Sequence, residues 1–196
     1  MLDIKADHLL HIADLIIFAE TWLYDEKDED NQSLYLKDKT VHFNSRARGK
    51  GLALYIQNKG FKIIKEINNE SLQMTLLKSP QLYVLGLYRS KPDMILSSEL
   101  SRIIPVDGPC LVIGDFNICS LKTPNHQVFN VLRSLGFNLL LHEATHFEGG
   151  HLDQAWIRNQ KTNCNIELYS PYYNCKDHDA LLFTIFDPST EKGESC

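Results

Sequence analysis

The sequence is short of several things, and each shortage excludes a class of protein. Its five cysteines (Cys110, Cys119, Cys164, Cys175 and Cys196) are odd in number and include no C-x-x-C pair. That pattern fits neither the usual zinc frameworks nor a paired set of secreted disulfides, and it points to a reducing compartment, cytoplasmic or nuclear. Long apolar runs are also missing. The longest, at 13–19 and 180–186, fall far short of a bilayer-spanning segment. Asp3 and Asp7 interrupt the N-terminus, so no basic-then-apolar leader is read there, and the chain is expected to be soluble with no membrane partner. Ten glycines and seven prolines in 196 residues are too few for a collagen-like or low-complexity chain. An excess of base is lacking too. Twenty Lys and Arg against 25 Asp and Glu leave a net charge of −5, which argues against a protein coated for non-specific nucleic-acid binding.

What is present is an ordinary globular mixture, 43% hydrophobic and 23% charged, of a length suited to one domain. The domain is placed at 1–187, with a polar tail at 188–196. Charge is uneven: residues 24–30 carry five acids and one base, whereas Lys37, Lys39, Arg46, Arg48 and Lys50 face only Asp38 across 37–50. Two solvated loops of opposite sign explain this, and so does a basic stretch meeting a phosphate backbone.

Apolar spacing predicts a helix over 1–12 and a strand buried on both faces over 14–19. Short β-like runs follow at 40–44, 51–57, 61–67, 72–78 and 81–88, separated by turns such as Asn58-Lys59-Gly60 and Ser79-Pro80. That spacing describes an antiparallel meander. Helices are expected over 92–104 and 124–135, the second stopped by Gly136. A buried strand is expected around Cys110-Leu111-Val112-Ile113-Gly114, and short strands near 154–158, 165–169 and 179–186. The class implied is α/β, with strand-rich sheets covered by helices.

Four apolar strand ends carry acids. The run Asp14 to Ala19 delivers Glu20, and Cys110 to Gly114 delivers Asp115 with Asn117 two residues on. Asp153 opens a strand, and Asp177-His178-Asp179 leads into another. Acids so placed are costly to desolvate unless they are paired or bind a metal. Taken singly, each reads as a turn former or helix cap. His146 and His151 raise a zinc reading with Asp153, but neither cysteine partners nor a His-Glu-x-x-His spacing accompanies them. Trp22 and Trp156 are expected in the core rather than stacked on bases.

Taken in order, these places resemble the motif series of the endonuclease/exonuclease/phosphatase superfamily. Glu20-Thr21-Trp22-Leu23 resembles its metal-binding Glu motif, and Gly51-Leu52-Ala53-Leu54-Tyr55-Ile56 the glycine-led strand after it. Leu87-Tyr88-Arg89-Ser90 is similar to the strand-end Tyr motif, and Gly114-Asp115-Phe116-Asn117 to the central Asp/Asn pair. The segment Thr145 to Asp153 is similar to the Thr…Leu-Asp motif, and Asp177-His178-Asp179 to the closing Ser-Asp-His motif, with Lys176 in the place of Ser. The wording is most similar to endonuclease domains of non-LTR retrotransposons and related mobile elements. The resemblance implies a deoxyribonuclease I-like fold, a four-layer α/β sandwich of two mainly antiparallel sheets flanked by helices. It also implies that this chain starts near the first helix and lacks the preceding strand, whose Asn has no counterpart here.

The implied activity is phosphodiester hydrolysis dependent on Mg²⁺, or on Mn²⁺ in its place, by a DNA endonuclease that acts as a monomer or within a larger mobile-element protein. Glu20, Asp177 and Asp115 are the expected metal ligands. His178, Asp153, Asp115, Asn117 and Tyr88 are the expected catalytic set, with Asp153 holding the His178 ring. Base and electrophile are not separated between His178 and Asp115. Arg89 and Thr145 are expected to contact phosphate or to order the site. Two alternatives stand beside this reading: a phosphatase or phosphodiesterase of small or lipid phosphoesters, and a weakly active or inactive remnant serving as a binding module.

Overall fold

A computed structural model describes residues 8–21, 36, 38–44, 51–57, 60–91, 95–159, 164–169 and 177–185. The first seven residues of the expected N-terminal helix, Trp22, the acidic 24–30 stretch, most of the basic one, Lys176 and the 188–196 tail lie outside the described residues.

The described elements run in the order α1 (His8–Ile12), β1 (Leu15–Ala19), β2 (Lys39–Asn44), β3 (Leu52–Gln57), β4 (Lys62–Asn68), β5 (Leu72–Lys78) and β6 (Tyr83–Arg89). They continue with α2 (Ile95–Ile103), β7 (Cys110–Asp115), α3 (Gln127–Ser134), β8 (Asn138–Leu139), β9 (Asp153–Arg158), β10 (Cys164–Tyr169) and β11 (Ala180–Ile185). Hydrogen bonding sorts the strands into a six-stranded sheet, β4-β5-β6-β7-β9-β8, a three-stranded sheet, β1-β3-β2, and a two-stranded one, β10-β11. All pairings are antiparallel except β6 with β7, whose crossover is α2.

The two smaller sheets pack on one face of the large one, β2 over β5, β3 over β6, β1 over β6 and β7, and β11 over β9. Strand alternation explains how β3 serves two cores at once. Leu52, Leu54 and Ile56 face the large sheet, where they meet Leu77 and Tyr88. Ala53 and Tyr55 face outward, against Leu10 of α1 and Leu36. On the other face of the large sheet, Leu96, Leu100 and Ile103 of α2 and Val128, Phe129 and Leu132 of α3 cover Met74, Leu85, Val112 and Trp156. Helix, small sheets, large sheet and helices make four layers, as the motif resemblance implied.

Two expectations are corrected. The meander over 40–88 divides between the layers, because β2 and β3 belong to one sheet and β4, β5 and β6 to the other. β3 and β4, on either side of the expected turn at Asn58-Lys59-Gly60, therefore lie in different sheets, and Asn58 and Lys59 themselves lie outside the described residues. β1 is also only half-buried along most of its length. Among the described residues it lies at the edge of its sheet, bonded to β3, which leaves its other edge open.

Candidate active site

One row of register partners crosses the large sheet: Tyr88 on β6 stands beside Asp115 on β7, and Asp115 opposite Asp153 on β9. Partners in register point to the same face, here the face toward the small sheets. Glu20 at the end of β1 and His178 just before β11 meet this row from that side. The Tyr88 hydroxyl donates to Glu20 Oε1 at 2.9 Å, and His178 Nδ1 lies 2.6 Å from Asp153 Oδ2. Five elements thus contribute one group each to one end of the sandwich.

Local structure fixes these positions. Gly114 sits at φ 146°, and a Cβ there would lie 1.9 Å from the Leu87 carbonyl oxygen. Only glycine lets β7 approach β6 so closely just before Asp115. The turn after Asp115 is held by the Asn117 N–H donating to Asp115 Oδ1 at 2.8 Å, with Asn117 itself at φ 49°. Asn117 Nδ2 donates to the Arg89 carbonyl at 3.0 Å. Arg89 answers through Nη1, which donates to the carbonyls of Phe116 and Asn117 at 3.2 and 3.4 Å. Thr145 Oγ1 accepts the N–H groups of Leu152 and Asp153 at 3.1 and 3.0 Å. Gln154 Nε2 donates to Ile118 O and His151 O, tying the loop after β7 to the start of β9.

Burial and neighbouring charge set the protonation states. Asp115 is 3% exposed. Burial first, then the negative charges of Asp153 and Glu20, push its carboxyl up to about 7 against the opposing Asn117 N–H and His178. The hydrogen bond to Asp153 pushes the His178 imidazole up to about 9, against partial burial and with further help from the charges of Asp153, Asp115 and Glu20. Burial and then Glu20 raise the Tyr88 phenol above its usual range. At neutral pH the site therefore holds an imidazolium beside a carboxyl that exchanges its proton.

The sequence-derived residues fall into two groups. Glu20, Tyr88, Asp115, Asn117, Asp153 and His178 are gathered as described. Tyr88 is 1% exposed and its hydroxyl donates a hydrogen bond to Glu20, which holds that carboxylate in place. Arg89 and Thr145, 2% and 0% exposed, face inward and order the loop and strand that carry the acids. Asp177 is exposed, and its carbonyl accepts the Phe147 N–H at 3.0 Å. No hydrogen bond or ion pair joins it to Glu20 among the described residues. His151 is buried and bonded through Nδ1 to Ser120 Oγ at 2.6 Å. Among the described residues no three His, Cys, Asp or Glu side chains are close enough to hold a metal by themselves.

Two features escaped the sequence reading. Gln154 braces the loop, signalled only by a polar residue inside an apolar strand. His146 packs edge-on to His178, with ring centroids 4.8 Å apart, and its backbone bridges that of His178. Its neighbour Phe147 is 70% exposed.

No protein-family model and no curated protein sequence matches the chain. Solved structures do. The endonuclease domain of TRAS1, a telomere-specific non-LTR retrotransposon, is 12% identical with a TM-score of 0.63, covering 88% of this chain and 85% of that one. An AP endonuclease from Archaeoglobus fulgidus is 14% identical with a TM-score of 0.61, covering 88% of each. A 3′-5′ exonuclease from Neisseria meningitidis is 13% identical with a TM-score of 0.62, covering 90% and 91%. The fold is the deoxyribonuclease I-like one.

Proposed function

We propose that this chain is a divalent-metal-dependent phosphodiester hydrolase acting on nucleic acid, a DNA endonuclease of mobile-element type. The row Tyr88–Asp115–Asp153, closed by Glu20 on one side and His178 on the other, carries the reading. The structures it resembles include two endonucleases and an exonuclease.

The donor chemistry suits Mg²⁺, or Mn²⁺ in its place. Mg²⁺ takes hard oxygens, one or two carboxylates and otherwise water, so a cluster of three side chains is not required. Asp115 holds its proton up to about 7 partly because Asp153 and Glu20 stand near, and that crowding of negative charge is what a cation relieves. Glu20 and Asp115 would hold the ion, with Asp177 a further ligand on the resemblance. When bound, it supplies charge neutralisation at the phosphoryl oxygens and a more acidic water.

The protein's groups divide the remaining work. Asp115, kept ionised at neutral pH once a cation offsets the charges of Asp153 and Glu20, orients the attacking water and takes its proton as the water oxygen bonds to phosphorus. His178 stays charged and donates its Nε2–H to a non-bridging oxygen while Asp153 fixes the ring's orientation and charge through Nδ1. Asn117, exposed beside Asp115, keeps one Nδ2–H on the Arg89 carbonyl and offers the other, which makes only a long 3.5 Å contact with Asp115 Oδ2, to the same phosphoryl group. The bond to the leaving oxygen breaks, and that oxygen takes a proton from solvent or from the imidazolium.

The test is nicking of supercoiled plasmid in Mg²⁺. His178→Ala and Asp115→Asn are each expected to lower the rate about 10²-fold or more, and EDTA to abolish it. Nicking that survives both substitutions or the chelator would place the activity elsewhere. Phosphate release from small phosphoesters without plasmid nicking would move the substrate to that class.

A further inference from the structure

Phe147 is the most conspicuous side chain that the chemistry above does not use. It is 70% exposed, yet it is held firmly. Its N–H donates to the Asp177 carbonyl at 3.0 Å, and the Asp179 N–H donates to the Thr145 carbonyl at 2.9 Å, so two backbone bonds fasten its loop to the segment carrying His178. Within the loop, Thr145 and His146 both donate to the Gly150 carbonyl at 2.9 Å, and Gly149 donates to His146 O at 2.8 Å. The Phe147 ring packs on His146 at 4.8 Å, and His146 packs on His178 at 4.8 Å. A rigid turn therefore presents an apolar ring to water, two ring contacts from the imidazole assigned to the phosphate.

Folding does not account for that exposure, because the ring buries little against the described residues. Its surroundings do not suit a phosphate either. The loop Thr145-His146-Phe147-Glu148-Gly149-Gly150-His151 has no Lys or Arg, and Glu148 beside Phe147 is exposed. A polyphosphorylated small molecule would meet an acid and a hydrocarbon there. A nucleobase would meet a flat partner, since every base has a π-face and stacks on aromatic rings without regard to sequence. Two ring contacts of 4.8 Å separate Phe147 from His178, and one nucleotide advances about 3.4 Å along a strand, so a base within about three steps of the scissile bond spans the distance.

We infer that Phe147 stacks on a nucleobase flanking the scissile phosphodiester, and that this contact selects nucleic acid over smaller phosphoesters. The inference rests on the hydrolase reading and names the substrate class of the same site.

The experiment compares two labelled oligonucleotides in Mg²⁺, one with natural bases and one with abasic analogues at about three positions on each side of the cleaved bond. The 196-residue chain is expected to prefer the base-bearing oligonucleotide by about tenfold in KM. Phe147→Ala should remove the preference with kcat little changed, and Phe147→Trp should restore it. Val106→Ala, at a 90% exposed apolar residue between α2 and β7, is the control and should keep it. A second readout is binding of a 2-aminopurine oligonucleotide to His178→Ala, whose fluorescence should be quenched with Phe147 present and not in the Phe147→Ala double variant. An unchanged KM ratio in Phe147→Ala, or quenching without Phe147, overturns the inference while leaving the hydrolase reading intact. Loss of all nicking in the parent chain overturns the hydrolase reading instead, and the fluorescence result still decides the contact.

Discussion

Asp153 does two things with one carboxylate. It holds the His178 ring by a 2.6 Å hydrogen bond, and its charge helps keep Asp115 protonated up to about 7. If Asp115 must be ionised and His178 charged, the rate in Mg²⁺ should rise with pH along an acid limb lying below the metal-free Asp115 value of about 7, because the cation competes with its proton. It should fall through about 9, and both limbs belong to the coupled pair. Asp153→Asn keeps a hydrogen-bond acceptor but removes the charge. Its alkaline limb should move from about 9 down toward the ordinary imidazole value of about 6.5, and its acid limb should also move down, with the plateau lowered about 10²-fold. Plasmid nicking against pH reads both limbs. An alkaline limb still near 9 would show that Asp153 does not set the His178 charge. At this scale the sequence was legible where an acid ends an apolar strand, as at Glu20, Asp115 and Asp153. It was silent where a role depends on which way a side chain turns. Arg89 and Thr145 could contact phosphate or order the site as far as the sequence goes, and in the fold they are buried braces; nothing in Thr145-His146-Phe147 foretold that the Phe147 ring would face water.

Elements position these groups by close approach, and Gly114 is the tightest point. A methyl there would fall 1.9 Å from the Leu87 carbonyl oxygen, on backbone that cannot step aside without parting β6 from β7. Gly149 is also at positive φ, 77°, but a Cβ on it would meet nothing within 4 Å. Comparing the two alanine variants therefore separates backbone strain from steric clash. Gly149→Ala should cost about 1 kcal/mol, the ordinary price of a left-handed alanine, and Gly114→Ala about 3 kcal/mol or more. Urea unfolding midpoints measure both, and equal losses would mean that β7 can shift freely. Periodicity was informative here. Leu96, Leu100 and Ile103 marked the buried face of α2, and Val128 and Leu132 that of α3. Sheet membership was not legible. The connection from β3 to β4 has the length and residues of a hairpin, and what carries the chain to the other sheet is the packing of β3 between Tyr88 on one face and Leu10 on the other.

On the scale of the whole molecule, a chain of net charge −5 brings three acids and an imidazole to one end of a sandwich, and the cost appears as proton linkage. Asp115 holds its proton up to about 7 when folded, against 3.8 for an ordinary aspartate, so the folded state binds more protons than the unfolded one between those values. Stability from this group therefore falls as pH rises from about 4 to 7. His178 acts in the same direction. Its contribution is complete below 6.5 and is lost as pH rises through about 9. A cation taken up by the carboxylates opposes the Asp115 loss, and a ligand at a hundred times its Kd stabilises by about 2.7 kcal/mol. For a domain of this size that is about 5–10 °C in Tm. Mg²⁺ should accordingly raise the melting temperature at pH 8 and do little at pH 5, where protons compete for Asp115. Asp115→Asn should melt higher than the parent without metal at pH 8, and it should lose most of the Mg²⁺ increment. Thermal unfolding at two pH values, with and without Mg²⁺, reads this independently of any cleavage. An increment equal in parent and variant would mean that the ion binds away from Asp115, and the division of labour between Asp115 and His178 would then have to be drawn again.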